Sequence, residues 1–205
     1  MARTGRRPGN SGTREAILDA ARRAFAEHGY QQATIREVAG IAGVDPALVH
    51  HYFGTKQDLF VAAVEIPVNP FEAFIELVSE EGGLETLGER LLGLFLQVWD
   101  QSDQHSPLLA LIRSTVSEER AAAMLREFIT EEILGRIARE LGTPDARLRT
   151  NLVASQLVGL IMARYVIRIE PLASAPAPVL VAAIGPTLQR YITGDIGGPA
   201  ADGSG

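Results

Sequence analysis

Apolar residues recur every three to four positions along most of this chain, which is the spacing that buries one face of an α-helix. No segment shows the alternation of apolar and polar residues that is typical of a β-strand. The first strongly periodic stretch predicts a helix that begins at Thr13 and closes at His28 and Gly29. Further helices follow to about residue 193, so the pattern predicts an all-α protein.

Two short helices are predicted after the first one. Thr34 and Glu37 are three residues apart and form a capping box, in which each side chain accepts a hydrogen bond from the backbone of the other residue. The apolar spacing continues to Ala42, and Gly43 then suits the left-handed conformation that ends a helix. The first short helix is therefore predicted over residues 35–42.

The second short helix is delimited in the same way. Asp45 is a strong N-cap residue, and Pro46 suits the first helical position because its missing N–H would have no partner there. The helix is predicted to run to about Phe53, after which Gly54 ends it. A third helix then starts at Lys56, and the backbone N–H groups at its N-terminus attract anions such as phosphate.

The two faces of the second short helix differ in chemistry. Its apolar side chains, spaced three and four residues apart, can pack on the preceding helix. They are Leu48, Val49 and either Tyr52 or Phe53. Ala47, His50 and His51 then point outward. Two short helices joined by a glycine turn form a helix-turn-helix motif, whose second helix enters the major groove of DNA.

Charge is divided unevenly between the two parts of the chain. Residues 1–62 carry eight basic and six acidic side chains, whereas residues 63–205 carry eleven and nineteen. Only the amino-terminal part therefore suits a polyanion such as DNA. Residues 1–12 are predicted to be a flexible basic arm, which either follows phosphates and the minor groove or is a disordered start without a role. Its cations are Arg3, Arg6 and Arg7.

The helix-turn-helix and the helix before it resemble the TetR family of bacterial repressors over about residues 13–65. The residues that carry the resemblance are Thr34, Ile35, Val38, Ala39, Ala42, Gly43, Val44, Tyr52, Phe53, Lys56 and Leu59. Two positions depart from the family pattern. Asp45 stands where serine or threonine is frequent, and Gly40 lies inside a helix at a cost of roughly 1 kcal/mol relative to alanine. Asp45 preserves the cap, so the resemblance holds.

The resemblance implies which residues contact DNA. Thr34 and Arg36 would meet the DNA backbone, and Tyr52 and Lys56 would hold phosphates. The helix that begins at Pro46 would enter the major groove. The residues nearest the base edges would be Ala47, His50 and His51. Because an alanine can contact a thymine methyl and a histidine can donate or accept, these residues leave the sequence preference open.

Residues 66–193 are predicted to form a second helical domain. Pro67 and Pro70 interrupt the connecting helix, because the residue before a proline is disfavoured in the helical conformation. The helices predicted after this junction span about residues 71–80, 84–101, 107–116, 117–141 with Ser117 as its cap, 143–169 and 177–192. The last helix is expected to kink at Gly185–Pro186. Residues 194–205, rich in Gly, Ala and Asp, are predicted to be a disordered tail.

The last two helices are apolar around much of their circumference, which indicates burial on more than one side. The apolar residues of the first are Leu152, Val153, Leu157, Val158, Leu160, Ile161, Val166 and Ile167. Those of the second are Val179, Leu180, Val181, Ile184, Leu188, Tyr191 and Ile192. The TetR resemblance implies that these helices pair with their copies in a four-helix homodimer interface. The alternative is full burial within one subunit.

Bulky side chains on the middle and later helices are candidates for a small-molecule site. They are Phe71, Phe74, Phe95, Trp99, Ile112, Met124, Phe128, Met162 and Tyr165, with Arg113, Gln156 and Arg164 as polar anchors. The alternative is that they form plain core. A hydrophobic or amphipathic effector is expected, and an acidic one would find Arg113 or Arg164 useful. Its binding would favour a dimer that releases promoter DNA, so the chain would be a repressor that a small molecule relieves.

Other chemistry has no support in the sequence. There is no cysteine, which excludes disulfides and zinc sites with cysteine ligands, and no catalytic, metal-binding or cofactor-binding motif is found. His50 and His51 point about 100° apart on a helix, so they cannot close on one metal ion together. The chain is therefore not expected to be an enzyme or to hold a cofactor.

Two further expectations concern location and an alternative function. No uninterrupted apolar run of about 18 residues and no signal-peptide pattern is found, so no membrane association is expected and the chain is placed in the cytoplasm. The alternative function is a small-molecule-binding helical dimer whose helix-turn-helix has lost DNA affinity or binds DNA without sequence preference. The presence of Tyr52 and Lys56 argues against that alternative.

Overall fold

All regular secondary structure in the described residues is helical. The computed structural model describes residues 11–101, 107–115, 117–143 and 145–197, and within these ranges no strand is found. The prediction of an all-α protein is therefore confirmed. The helices are α1 (Ser11–Gln32), α2 (Ile35–Ala42), α3 (Pro46–Phe53), α4 (Lys56–Ala63), α5 (Pro70–Ser79), α6 (Leu87–Gln101), α7 (Pro107–Ser114), α8 (Glu119–Phe128), α9 (Gly135–Leu141), α10 (Ala146–Leu160) and α11 (Ala177–Ile192).

The chain divides into two compact units, and the division differs from the predicted one. The first unit comprises Met1–Ile66 together with His105–Phe128. The second comprises Pro67–Gln104 and Ile129–Gly205. Helices α7 and α8 therefore belong to the same unit as the helix-turn-helix, whereas the sequence placed them in the second domain. Packing partners that are distant along the chain leave no local signal, so the sequence could place these helices only by their order.

An aromatic cluster joins α1, α4 and α8 in the first unit. The ring centroid of Phe128 lies 4.4 Å from that of Phe60 and 5.4 Å from that of Tyr30. Phe25 completes the cluster at 5.0 Å from Phe60. These side chains are buried, and each well-placed aromatic pair contributes about 0.5–1.5 kcal/mol beyond the area it buries. This cluster anchors α8 in the first unit.

The first helix differs from the prediction at its start. It begins at Ser11, two residues before Thr13, so at most residues 1–10 remain for the basic arm. Arg3, Arg6 and Arg7 lie outside the described residues. Gly29 has φ 76° and ψ 176°, which breaks the helical geometry where the sequence predicted the helix to close. A further short turn then continues to Gln32.

In the second unit, α6 and α11 approach each other closely through two glycines. A Cβ atom on Gly88 would lie 2.5 Å from the backbone nitrogen of Gln189 and 2.6 Å from the carbonyl oxygen of Gly185. The N–H of Gly88 also donates to Oε1 of Gln189 at 2.8 Å. The buried core beside this crossing contains Leu92, Leu96, Leu160, Leu180 and Leu188. Backbone-to-backbone packing of this kind is open only to glycine.

Several helix bounds in the later part of the chain also differ from the prediction. Helix α6 begins at Leu87, three residues late, because residues 81–86 form turns. Ser117 does not cap α8; its hydroxyl donates to the carbonyl of Ser114 at 3.4 Å. Helix α8 continues through π-helical turns at Ile129–Leu134 into α9, and a second π-helical segment, Ile161–Val166, extends α10. Pro186 lies inside α11, which runs without interruption to its last residue.

Arg149 holds the end of α11 and corrects the predicted start of the tail. Its Nη1 donates to the carbonyl oxygens of Tyr191, Ile192 and Gly194, at 2.9, 3.4 and 2.9 Å. Nε of Arg190 donates to the carbonyl of Asp195 at 2.9 Å. The first residues of the predicted disordered tail are therefore fixed by arginine side chains, and residues 198–205 lie outside the described chain.

Candidate nucleic-acid interface

Helix α2 begins with the predicted capping box. Oγ1 of Thr34 accepts a hydrogen bond from the N–H of Glu37 at 3.2 Å, and Oε2 of Glu37 accepts one from the N–H of Thr34 at 3.4 Å. The second carboxylate oxygen, Oε1, lies 2.7 Å from Nε2 of His28 at the end of α1. Gly43, with φ 68° and ψ 33°, ends the helix in the left-handed conformation. These contacts fix where α2 starts and stops.

The capping of α3 and the division of its faces agree with the prediction. Oδ1 of Asp45 accepts a hydrogen bond from the N–H of Ala47 at 2.8 Å, so aspartate performs the capping role here. Val49 and Phe53 are buried, whereas Tyr52 is half-buried. Phe53, rather than Tyr52, is thus the deeper anchor of the helix. The exposed side chains are Ala47, His50 and His51.

The ring of His50 is held by the residue that ends α3. Its Nδ1 lies 2.8 Å from the carbonyl oxygen of Gly54. The N–H of Gly54 donates in turn to the carbonyl oxygen of His50, also at 2.8 Å. Gly54 has φ 75° and ψ −90°, a conformation that side chains resist. The sequence identified this glycine only as a helix terminator, and its contact with the imidazole was not foreseen.

Lys56 lies at the start of α4, but its ammonium group is directed at the end of α1. Nζ donates to the carbonyl oxygens of Gln31 and Ala33 at 3.1 and 3.2 Å, and lies 4.6 Å from the centre of the Tyr30 ring. The resemblance implied that this side chain holds a phosphate. That role stays a prediction. In the structure the ammonium group binds carbonyl oxygens at the end of α1 and directly after it, and so links α4 to α1.

The other predicted DNA-contacting residues lie on α2 and α3. Thr34 and Arg36 are exposed in the first turn of α2 or directly before it, and Pro46 is half-buried at the start of α3. In the described part of the chain, no group of three or more His, Asp or Glu residues is placed to hold a metal ion. A capped helix pair with a small, polar outer face defines a helix-turn-helix DNA-binding protein.

Comparison with known proteins gives the family. Residues 17–63 match the family model described as "Bacterial regulatory proteins, tetR family". Residues 85–192 match the model described as "Tetracyclin repressor-like, C-terminal domain". Together the two matches cover most of the chain. The chain therefore belongs to the TetR family of bacterial transcriptional regulators.

Individual relatives agree with this assignment. The HTH-type transcriptional regulator BetI of Agrobacterium fabrum is 31% identical over 178 residues, which is 82% of this chain and 84% of the relative. The HTH-type transcriptional repressor AcnR of Corynebacterium efficiens is 40% identical over 84 residues, 41% of this chain and 42% of the relative. A crystal structure of a TetR-family regulator from Streptomyces coelicolor A3 is 42% identical, with a TM-score of 0.51, covering 93% of this chain and 99% of that one.

The twelve candidate effector-binding residues fall into separate groups. Ile112, Met124 and Phe128 are buried in the first unit, and Arg113 is exposed there. Phe128 belongs to the aromatic cluster described above, so plain core accounts for it. The remaining candidates, on α5, α6, α10 and the π-helical segment after it, lie in the second unit.

Two of those candidates lie on α5. Phe74 is buried against Leu77, Leu87 and Ile192, which makes it a core residue. Phe71 is half-buried, and the guanidinium carbon of Arg136 lies 3.8 Å from its ring centre. This distance is that of a close cation–π contact. Phe71 therefore already has a cationic partner within the chain.

The third group combines aromatic rings and charges. Trp99 lies 5.7 Å from Tyr165 in a stacked arrangement and 5.8 Å from Phe95. The hydroxyl of Tyr165 donates to Oδ1 of Asp100 at 2.8 Å. Burial and this hydrogen bond both raise the pKa of the Tyr165 hydroxyl. Met162 is half-buried in the same π-helical segment as Tyr165. Gln156 is exposed on α10.

Arg164 is committed to neighbours within the chain. Its Nε and Nη2 donate to Asp100 at 3.1–3.3 Å, and its Nη1 donates to the carbonyls of Leu172 and Ala175, each at 2.9 Å. Burial alone would lower the pKa of Arg164, but its hydrogen bonds with Tyr165 and Asp100 raise it. An acidic ligand would have to displace Asp100 to bind this arginine, and the role of Arg164 as a polar anchor stays a prediction.

Asp100 is the residue of this group that the sequence analysis missed. It is the only carboxylate in the second half of α6, directly after Trp99, and this position was the available signal. Among the described residues, no helix is long and apolar enough to cross a bilayer.

Proposed function

We propose that this TetR-family regulator is a homodimeric repressor that binds an inverted-repeat operator and is released by a small molecule. The observation that carries the proposal is the face of α3 that bears Ala47, His50 and His51, all exposed while Val49 and Phe53 anchor the helix. An outer face that is small and polar fits a major groove. The name of the AcnR relative, a transcriptional repressor, favours repression over activation.

Exposed apolar side chains on the last two helices support a homodimer. Leu148 and Val158 on α10 are 53% and 44% exposed, and Val179 on α11 is 57% exposed. The alternative of full burial within one subunit does not agree with these values. A second copy that covers these residues would remove apolar surface from water. Two recognition helices in a dimer would then read half-sites about one helical turn apart.

The proposed effector is a hydrophobic or amphipathic small molecule that binds in the second unit. The half-buried rings of Phe95, Trp99 and Tyr165 provide apolar surface with one polar edge at Asp100. Relief of repression by tenfold requires the effector to prefer the DNA-free form by about 1.4 kcal/mol. Such a regulator works in the cytoplasm, where bacterial DNA lies.

The first test is selection of bound sequences from a random duplex pool by the purified protein, at two salt concentrations. An enriched inverted repeat is expected. Retention that is salt-sensitive but not enriched in any sequence would contradict the operator and favour the alternative of a helical dimer with non-specific or lost DNA binding.

Arg36 is the sharper probe of backbone contacts, because Lys56 also holds two carbonyl groups. Arg36→Ala should weaken binding nearly equally on all sequences and reduce the slope of log affinity against log salt by about 1. Arg120→Ala, an exposed site on α8, removes the same charge and serves as the control. Equal effects of the two variants would show that Arg36 contributes only net charge.

A further inference from the structure

We infer that His50 is a specificity-determining residue that accepts a hydrogen bond from the exocyclic amino group of an adenine or a cytosine. The inference rests on the proposed function, since it assumes that α3 enters the major groove. A histidine can in general donate or accept a hydrogen bond. The inference limits His50 to accepting, and therefore to bases that present an amino group.

The carbonyl group of Gly54 decides which nitrogen of the neutral ring carries the proton. A carbonyl oxygen can only accept, so the nitrogen 2.8 Å from it, Nδ1, must be the donor. Neutral imidazole has one N–H, and the other nitrogen, Nε2, is then an acceptor. The Gly54 conformation and its own N–H bond to His50 hold that carbonyl beside the ring.

The remaining nitrogen is on an exposed side chain. His50 lies on the outer face of α3, one turn after the exposed Ala47, whose methyl group leaves room for a base edge. Among the described residues, the hydrogen bond of the His50 ring is made by Nδ1, and none is made by Nε2. His51 is also exposed, but its ring contacts Tyr52, at 5.6 Å between centroids, rather than a carbonyl group. Its tautomer is therefore not set in this way.

The major groove offers only two kinds of amino donor to such an acceptor. Adenine presents its N6 amino group and cytosine its N4 amino group, whereas guanine N7 and O6 and thymine O4 are acceptors. An Nε2 lone pair placed against guanine or thymine would face another lone pair. The neutral His50 ring therefore selects an amino-bearing base in each half-site.

The tautomer is tested first, by long-range 1H–15N NMR on the whole protein labelled with 15N-histidine. The spectrum is recorded at a pH where the ring is neutral, without DNA and with the selected operator, and His50→Ala assigns the signal. A protonated Nδ1 is expected in both states. A protonated Nε2 would overturn the inference without affecting the proposed function.

The base preference is tested by repeating the pool selection with His50→Ala and with His51→Ala. The wild type should enrich adenine or cytosine at one position of each half-site, and His50→Ala alone should lose that preference. Replacing the enriched base with an analogue that lacks the amino group should weaken wild-type binding roughly 3- to 10-fold and leave His50→Ala unchanged.

The outcomes separate the two proposals. Enrichment of an inverted repeat whose composition does not respond to His50→Ala, or responds with a loss of guanine or thymine, would overturn the role of His50 alone. An absence of enrichment with the wild type would overturn the operator itself and, with it, the contact made by His50.

Discussion

The helix-turn-helix and the last three helices are delimited by different means. Thr34, Asp45 and Thr55 each accept a hydrogen bond from a backbone N–H two or three residues later, so α2, α3 and α4 start with side-chain caps. The residues before α9, α10 and α11 make no such bond. The first kind of helix start is encoded locally. In the second unit, α9 continues the π-helical turns before it, and distant partners hold the residues that flank α11.

Arginine supplies many of those distant partners in the second unit. Arg90 donates to the carbonyls of Leu77 and Gly83, Arg149 to three carbonyls at the end of α11, and Arg164 to two carbonyls and to Asp100. A planar guanidinium with five N–H groups can bind several acceptors at once, which an ammonium group does less well. The chain has eighteen arginines and one lysine. At these three sites the guanidinium group binds backbone carbonyls that flank helices.

The largest loss of stability is expected for Arg164→Ala, which removes one of these distant arginine contacts. It would remove the cationic partner of Asp100, which would keep only the Tyr165 hydroxyl as a donor, and the donor of two loop carbonyls. The free energy of unfolding should fall by about 3 kcal/mol. Urea unfolding followed by the fluorescence of Trp99, the only tryptophan, measures the loss. Arg147 is an exposed arginine on α10 and serves as the control. Arg147→Ala should change the free energy of unfolding by less than about 0.5 kcal/mol. Similar losses in both variants would refute the role of Arg164.

A smaller loss is expected at the crossing of α6 and α11. Gly88→Ala would place a Cβ within 2.6 Å of two backbone atoms of α11, which should cost about 2 kcal/mol because the helices must separate. Gly93→Ala, on the same helix, meets nothing within 4 Å and should stabilise the chain by about 0.5–1 kcal/mol. Thermal unfolding of both variants checks the contrast, and a neutral Gly88→Ala would show that the crossing is not tight.

Each helix cap of the first unit is expected to contribute less to the free energy of unfolding than these contacts do. Thr34→Ala removes the acceptor for the N–H of Glu37 and should cost about 1 kcal/mol, whereas Thr34→Ser keeps the hydroxyl and should be nearly neutral. Chemical denaturation distinguishes these results. Equal destabilisation by serine would indicate that the methyl group of Thr34, rather than the cap, matters.

The smallest effect concerns an ion pair at the start of α10 and depends on pH. Nε of Arg149 lies 2.9 Å from Oδ2 of Asp145, and this hydrogen bond lowers the pKa of Asp145 below 3.8. A depressed carboxyl pKa stabilises the fold above the unfolded pKa, and the contribution is lost as pH falls through the folded pKa. The stability difference between the wild type and Asp145→Asn should therefore be constant near neutral pH and shrink below about pH 4. A difference that persists at pH 2 would rule out this cause.

Much of the first unit was predictable because its signals are local. The bounds of α2 and α3 follow from residues within four positions of each end, and these predictions agree with the structure residue for residue. The outward face of Ala47, His50 and His51 follows from helical spacing. The family resemblance rested on the same residues, and it was confirmed.

The sequence by itself determined the helical class, the caps of the helix-turn-helix and its exposed face, because these depend on residues a few positions apart. Only the tertiary structure decided that α7 and α8 join the first unit, that Lys56 binds α1, and that Arg164 binds Asp100. It also placed the carbonyl oxygen of Gly54 beside Nδ1 of His50. A polar side chain takes whichever partner the folded chain brings within hydrogen-bond distance, and sequence spacing cannot specify a partner that lies far along the chain.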